Sequence, residues 1–263
     1  MTGFIIRVNL SGIEEIFVRS SIDGTDQPSF FWRCNDHRDL PLLVGLHTWS
    51  TDRYNQVKSF YPLALKNRWH LLLFEFRGPN LNTNPRATEA CASKIAMQDV
   101  IDAIEKIYYI AKVDKKHIFL IGGSGGAHMA LMLAGYRPEL WRSVASFCPI
   151  TDLAPGIVKT RITLRTSKRA AVAHHVLKRL KNTEIVLLFF ADSIAKCKQV
   201  YIYHGKFDRS VPFTHSLNIF KKICEIDPKA NVFFEIFIGH EMIIERAETQ
   251  FICAASKNST ITG

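Results

Sequence analysis

The 263-residue chain lacks several features that would fix its class at once. Its longest apolar run, Ile185–Ala191, is seven residues, whereas a membrane-spanning helix needs roughly 20, so no membrane span is expected. Its six cysteines (Cys34, Cys91, Cys148, Cys197, Cys224 and Cys253) are scattered and form no C-x-x-C pair. That argues against a zinc cage or a disulfide framework and fits a reducing compartment. Met1 to Leu10 carries no basic patch leading into a long apolar stretch, so no signal peptide and a cytoplasmic location are expected.

Acidic residues are also scarce, with 24 Asp+Glu against 34 Lys+Arg and a net charge of +10. The imbalance is local. Between Lys159 and Lys198 ten basic residues face two acids, Glu184 and Asp192. A nucleic-acid binder spreads its basic residues over a docking face, so nucleic acid is not an expected partner. The 47% hydrophobic share excludes a disordered chain.

Along the chain, short apolar runs alternate with amphipathic stretches. Glu15–Ser20 and Ser29–Cys34 flank the turn signal Asp23-Gly24-Thr25 and predict a β-hairpin. The continuous apolar run Leu42–Leu46 reads as a strand buried on both faces. Helices are predicted over 56–69, 93–113, 214–226 and 241–255, and strands over 70–76, 117–121, 144–148, 199–204 and 232–238. In the 93–113 helix, Met97, Ile101, Ile104, Tyr108 and Ala111 recur at three- and four-residue steps on one face. Strand–helix alternation from Leu42 onward implies a mostly parallel sheet with right-handed crossovers and helices on both faces. Only 155–197 fits poorly and reads as a divergent basic insert or lid within a single domain, 1–263.

In an open parallel sheet, ligands bind beyond the carboxyl ends of the strands. After the strand ending at Ile121 comes Gly122-Gly123-Ser124-Gly125-Gly126, a G-x-S-x-G match followed by a helix. Such a turn projects a serine hydroxyl above the sheet, and flanking glycines leave room for the adjoining strand and helix. The Gly125 N–H, at a helix N-terminus, is placed to stabilise an oxyanion. Read blandly, the segment is a Gly-rich turn.

A nucleophilic serine needs a base, and the base an orienting acid. Asp208 follows the strand 199–204 and His240 follows the strand 232–238. Each alone reads equally well as a turn, cap or loop residue. Together they give the order Ser, Asp, His along the chain, each beyond a predicted strand, which favours the catalytic reading. Asp152 is the alternative acid. His128 is expected to pack and Asp99 to cap or pair. Arg77 and Asn80 are equally open to pocket-shaping or structural roles, and His174-His175 lacks partners for a metal site.

These pieces carry a resemblance. IFLIGGSGGAHMAL (118–131), YIYHGKFDRSVPFTHSL (201–217) and IGHE (238–241) resemble the α/β-hydrolase fold, and within it the catalytic domain of prolyl oligopeptidase-like peptidases and esterases. LHTWSTD (46–52) and FRGPN (76–80) also look like this group. The resemblance implies Ser124 as nucleophile, His240 as general base and then acid, and Asp208 as its orienting partner. It also implies a second oxyanion donor within His47-Thr48-Trp49, here assigned to the Trp49 N–H, although the His-Gly-Gly of many relatives is missing. No cofactor and no metal are implied.

The expected reaction is acyl transfer to water. Only about 40 residues precede the first core strand, too few for a β-propeller of the kind that restricts entry to peptides. The expected substrate is therefore a small-molecule ester, with a short peptide as the alternative. A third reading is a catalytically impaired hydrolase-like protein that binds an anionic partner through its basic segment.

Overall fold

A computed structural model describes residues 12–79, 81, 83–90, 92–151 and 190–256. Asn80, Asp152, His174-His175 and most of the 155–197 insert lie outside the described residues.

The described strands are β1 (Ile13–Arg19), β2 (Asp26–Trp32), β3 (Leu40–Leu46), β4 (His70–Phe74), β5 (Val113–Gly123), β6 (Ser143–Phe147), β7 (Val200–Gly205) and β8 (Val232–Phe237). They form one eight-stranded sheet in the order β1-β2-β4-β3-β5-β6-β7-β8. The β1–β2 hairpin and the β2–β4 pair are antiparallel. All other neighbours run parallel. This is the α/β-hydrolase architecture expected from the sequence.

The helices are α1 (Arg53–Asn67), α2 (Ala87–Ala90), α3 (Lys94–Ile110), α4 (Gly125–Tyr136), α5 (Ala191–Ala195), α6 (Thr214–Ile226) and α7 (Ile244–Ser256). Short α2 and α5 were not anticipated, because one turn leaves no periodic pattern to read. The helix expected over 93–113 ends at Ile110 instead. Its cap, Ala111, is already extended (φ −143°), and β5 begins at Val113.

Side-chain alternation along the central strands builds two cores. Leu42, Val44, Leu46, Leu120 and Ile202 face α3, α4 and α6. Leu43, Leu73, Phe119, Ile121 and Tyr203 face α1 and α7. Phe119 shows the packing. Its ring stacks on Phe251 of α7 at 4.8 Å and lies 4.9 Å from Trp69. Every residue of α4 from Gly125 to Gly135 is buried, as expected of a helix apolar all round. The turn at its start is therefore anchored from all sides.

No described helix is long and apolar enough to cross a membrane. Of the six cysteines, Cys34, Cys148 and Cys197 are buried free thiols, and Cys224 and Cys253 are free as well.

Candidate active site

Ser124 joins β5 to α4. Its backbone sits at φ 54°, ψ −115°, a conformation a non-glycine residue holds only when its surroundings enforce it. Two backbone hydrogen bonds do so. The Ser124 N–H donates to the Phe147 carbonyl at 2.8 Å, and the His128 N–H donates to the Ser124 carbonyl at 3.0 Å. A Cβ on Gly122 would strike the Gly126 backbone, and one on Gly126 would reach the His47 carbonyl at 2.7 Å. The glycines flanking Ser124 are thus demanded by close approach, as the motif implied. Ser124 occupies the N-cap position of α4, yet its side chain makes no capping hydrogen bond, so the hydroxyl is not engaged there.

The 46–53 turn arrives beside this elbow. A Cβ on Gly125 would lie 2.6 Å from the Trp49 backbone nitrogen and collide with the indole ring. The Gly125 and Trp49 backbones therefore meet. The turn is held by His47, which donates from Nδ1 to the Thr48 carbonyl at 2.7 Å and stacks on Phe76 at 3.8 Å. Burial pushes the His47 pKa down, against the pull of Glu75, so the ring is neutral.

Asp208 lies three residues beyond β7, and its side chain is fully buried. Its Oδ1 accepts from the Ser210 N–H at 2.7 Å and the Val211 N–H at 2.9 Å. Its Oδ2 accepts from His240 Nδ1 at 2.6 Å. Burial alone would raise the carboxyl pKa. Hydrogen bonds from His204, His240 and Val211 outweigh it and hold the group well below the usual carboxylate range. With Nδ1 of His240 donating to Asp208, Nε2 is left as the basic nitrogen.

The end of β6 ties the two halves together. Phe147 takes the Ser124 N–H, while the Cys148 sulfur sits 4.0 Å from the Gly239 carbonyl and 3.9 Å from that of Glu241. The side chain of Met242 fills the space beside Gly123. The loop carrying His240 therefore lies against the strand end that carries Ser124.

The other predicted residues divide cleanly. His128 is buried, donates from Nδ1 to the Ile150 carbonyl at 2.6 Å, and is pushed down to about 4 by burial. Arg77 and Asp99 form a fully buried ion pair at 2.5 Å, and Arg77 also reaches Asp23 and Glu89. Both are structural, the role expected of Asp99 and one of two open for Arg77. Sequence reasoning missed His204, Cys148 and Met242. His204 reads as the last residue of a buried strand, and nothing in strand periodicity marks it as a neighbour of Asp208.

Compared with known protein families, residues 88–250 match the prolyl oligopeptidase family. The chain belongs to that family. Two curated proteins similar to this chain are acylamino-acid-releasing enzymes. The one from Oryza sativa subsp. japonica is 26% identical over 149 residues, 53% of this chain and 19% of its own length. The one from Homo sapiens is 25% identical over 131 residues, 48% of this chain and 18% of its own length. The match thus spans about a fifth of the length of these curated relatives.

Among solved structures, a Pyrococcus furiosus esterase superposes with TM-score 0.69 at 17% identity, covering 98% of this chain and 97% of that one. A Staphylococcus aureus fluorophosphonate-binding serine hydrolase gives 0.69 at 15%, covering 91% and 98%. A Pyrococcus horikoshii acylaminoacyl peptidase gives 0.65 at 16%, covering 90% of this chain and 38% of that one. At these identities the likeness is one of fold.

Proposed function

We propose that this prolyl oligopeptidase-family chain is a serine hydrolase working through a Ser124–His240–Asp208 triad. The observation that carries the reading is the 2.6 Å His240 Nδ1–Asp208 Oδ2 hydrogen bond, made by a loop packed against the strand end that bears Ser124 in its enforced conformation. Ser124 Oγ attacks an ester or small amide carbonyl, and His240 Nε2 takes its proton. The backbone N–H groups of Gly125 and Trp49 hold the resulting oxyanion. His240 returns the proton to the leaving group as the C–O or C–N bond breaks, giving an acyl-enzyme. Water then attacks that ester, with His240 again taking the proton and delivering it to Ser124 Oγ. The site acts within one domain, 1–263, on a small-molecule ester.

A second reading, aminoacyl amide or short peptide hydrolysis, is favoured by the names of the curated relatives, both acylamino-acid-releasing enzymes. Turnover of short-chain esters against N-acetyl-aminoacyl amides separates the two.

The direct test of the shared chemistry is covalent labelling by a fluorophosphonate probe. Wild type is labelled and Ser124→Ala is not. A folded wild type that stays unlabelled overturns the reading.

A further inference from the structure

The carboxylate of Asp208 is approached by two imidazoles. His204, at the end of β7, is fully buried, and its Nε2 lies 3.3 Å from Asp208 Oδ2, the same oxygen that receives His240. The His204 ring is fixed by what surrounds it. Nε2 lies 3.1 Å from the Val211 carbonyl, which can only accept, so Nε2 carries a proton. Nδ1 lies 2.6 Å from the Ser216 hydroxyl of α6, which then donates to it. Phe213 closes the ring's side edge-on at 5.9 Å. The Nε2–H is thus shared between Val211 O and Asp208 Oδ2.

The third titratable neighbour of Asp208 is Cys148. Its thiol is pushed up to about 12, chiefly by burial and further by the carboxylate, so it brings no charge. The ligand atoms of Cys148, His204 and Asp208 lie within 4.8 Å of one another. Because Nε2 holds a proton, however, it offers no lone pair to a metal, and the cluster is complete as a hydrogen-bonded unit.

We propose that His204 is a positioning residue for the reaction, fixing Asp208 from behind and drawing charge from the oxygen that orients His240. The proposal rests on the triad reading above. Its physical content is a sign. A carboxylate that accepts two imidazole N–H groups on one oxygen is a weaker partner for imidazolium than one that accepts a single group. With His204 in place, Asp208 still sets the orientation and tautomer of His240, but it stabilises the protonated, inactive base less. Without it, Oδ2 binds protonated His240 more tightly, and the base stays protonated to higher pH.

The experiment measures the rate of fluorophosphonate labelling of Ser124 against pH in wild type, His204→Phe and His204→Gln. In His204→Phe the rate falls about 10- to 100-fold, and the acid limb of the profile moves up by about half to one pH unit. His204→Gln places an amide N–H near Nε2, keeps the wild-type limb and stays within about threefold of the wild-type rate. A wild-type limb in His204→Phe overturns the proposal, and so does a loss in His204→Gln equal to that in His204→Phe, since ring packing would then be the cause. Should His204→Phe fail to fold, Ser216→Ala, which deletes only the hydroxyl orienting the ring, is read instead. It shows a smaller shift in the same direction, and an unmoved limb overturns the proposal. Wild type that is folded but unlabelled at every pH fails the triad reading itself and takes this proposal with it. Labelled wild type with unshifted variants fails this proposal alone.

Discussion

Gly205 and Gly239 meet backbone to backbone. A Cβ on Gly205 would overlap the Gly239 carbonyl and lie 2.8 Å from the Gly239 nitrogen. The contact joins the start of the Asp208 loop to the residue before His240. Two hydrogen bonds reinforce it, Lys206 N–H to Phe237 O at 2.7 Å and Phe207 N–H to Ile238 O at 2.9 Å. Gly205→Ala therefore pushes the two loops apart and lengthens the His240–Asp208 bond. Expected outcomes are a fall in kcat with little change in KM and a stability loss of about 1–3 kcal/mol, typical of overpacking. Ester kinetics and urea denaturation on the same preparation check both. Unchanged kcat in a destabilised variant would show that the loops are aligned by other contacts.

Asp208→Asn keeps the shape of the side chain but can favour the wrong tautomer of His240. The expected loss in kcat is about 10³- to 10⁴-fold with the fold intact. The same residue gives a pH signature. Its folded pKa is depressed, so its stabilising contribution is fully present above the ordinary carboxyl value of about 4 and is lost as pH falls below it. Wild type should exceed Asp208→Asn in urea midpoint at pH 7, and the gap should shrink under acid. A gap that widens on acidification would contradict the sign.

Much of this site is readable in the sequence because backbone crowding leaves a mark there. Gly122 and Gly126 are glycines since a Cβ at either would strike backbone. Asp208 and His240 each follow a strand whose apolar run ends abruptly, so topology alone brings them to one edge of the sheet. The remainder is illegible for equally physical reasons. Within β7 and just past β6, His204 and Cys148 look like any buried residue, and only the folded loops bring Asp208 back onto His204 and Gly239 and Glu241 onto Cys148. Arg77 reads equally as pocket or turn until the fold shows three acids from three separate segments closing on it.

That convergence makes Arg77 a stability determinant. The guanidinium is fully buried, and Asp99, also fully buried, has Arg77 as its ion-pair partner. Arg77→Ala strands a buried carboxylate and should cost about 3–5 kcal/mol. Combining Arg77→Met with Asp99→Leu removes both charges and should recover much of that loss. The comparison is made by denaturant unfolding of the three proteins. Equal loss in the single and double variants would mean that shape, rather than the uncompensated charge, sets the cost.

His128 supplies the clearest pH dependence of stability. It is fully buried and pushed down to about 4, while the same side chain in the unfolded chain titrates near 6.5. A histidine buried neutral must charge on unfolding, so as pH falls from about 6.5 toward 4 the unfolded state gains a proton that the folded state refuses, and stability drops. The full window corresponds to roughly 3–4 kcal/mol. His47 and His70 are also depressed by burial and act in the same direction, so wild type alone cannot isolate the effect. His128→Asn can, because its amide still donates to the Ile150 carbonyl that Nδ1 serves at 2.6 Å, but it does not titrate. Urea midpoints at pH 7 and pH 4.5 should show wild type losing more stability than His128→Asn. Parallel losses would place the His128 proton elsewhere and require the ring to be charged in the folded protein.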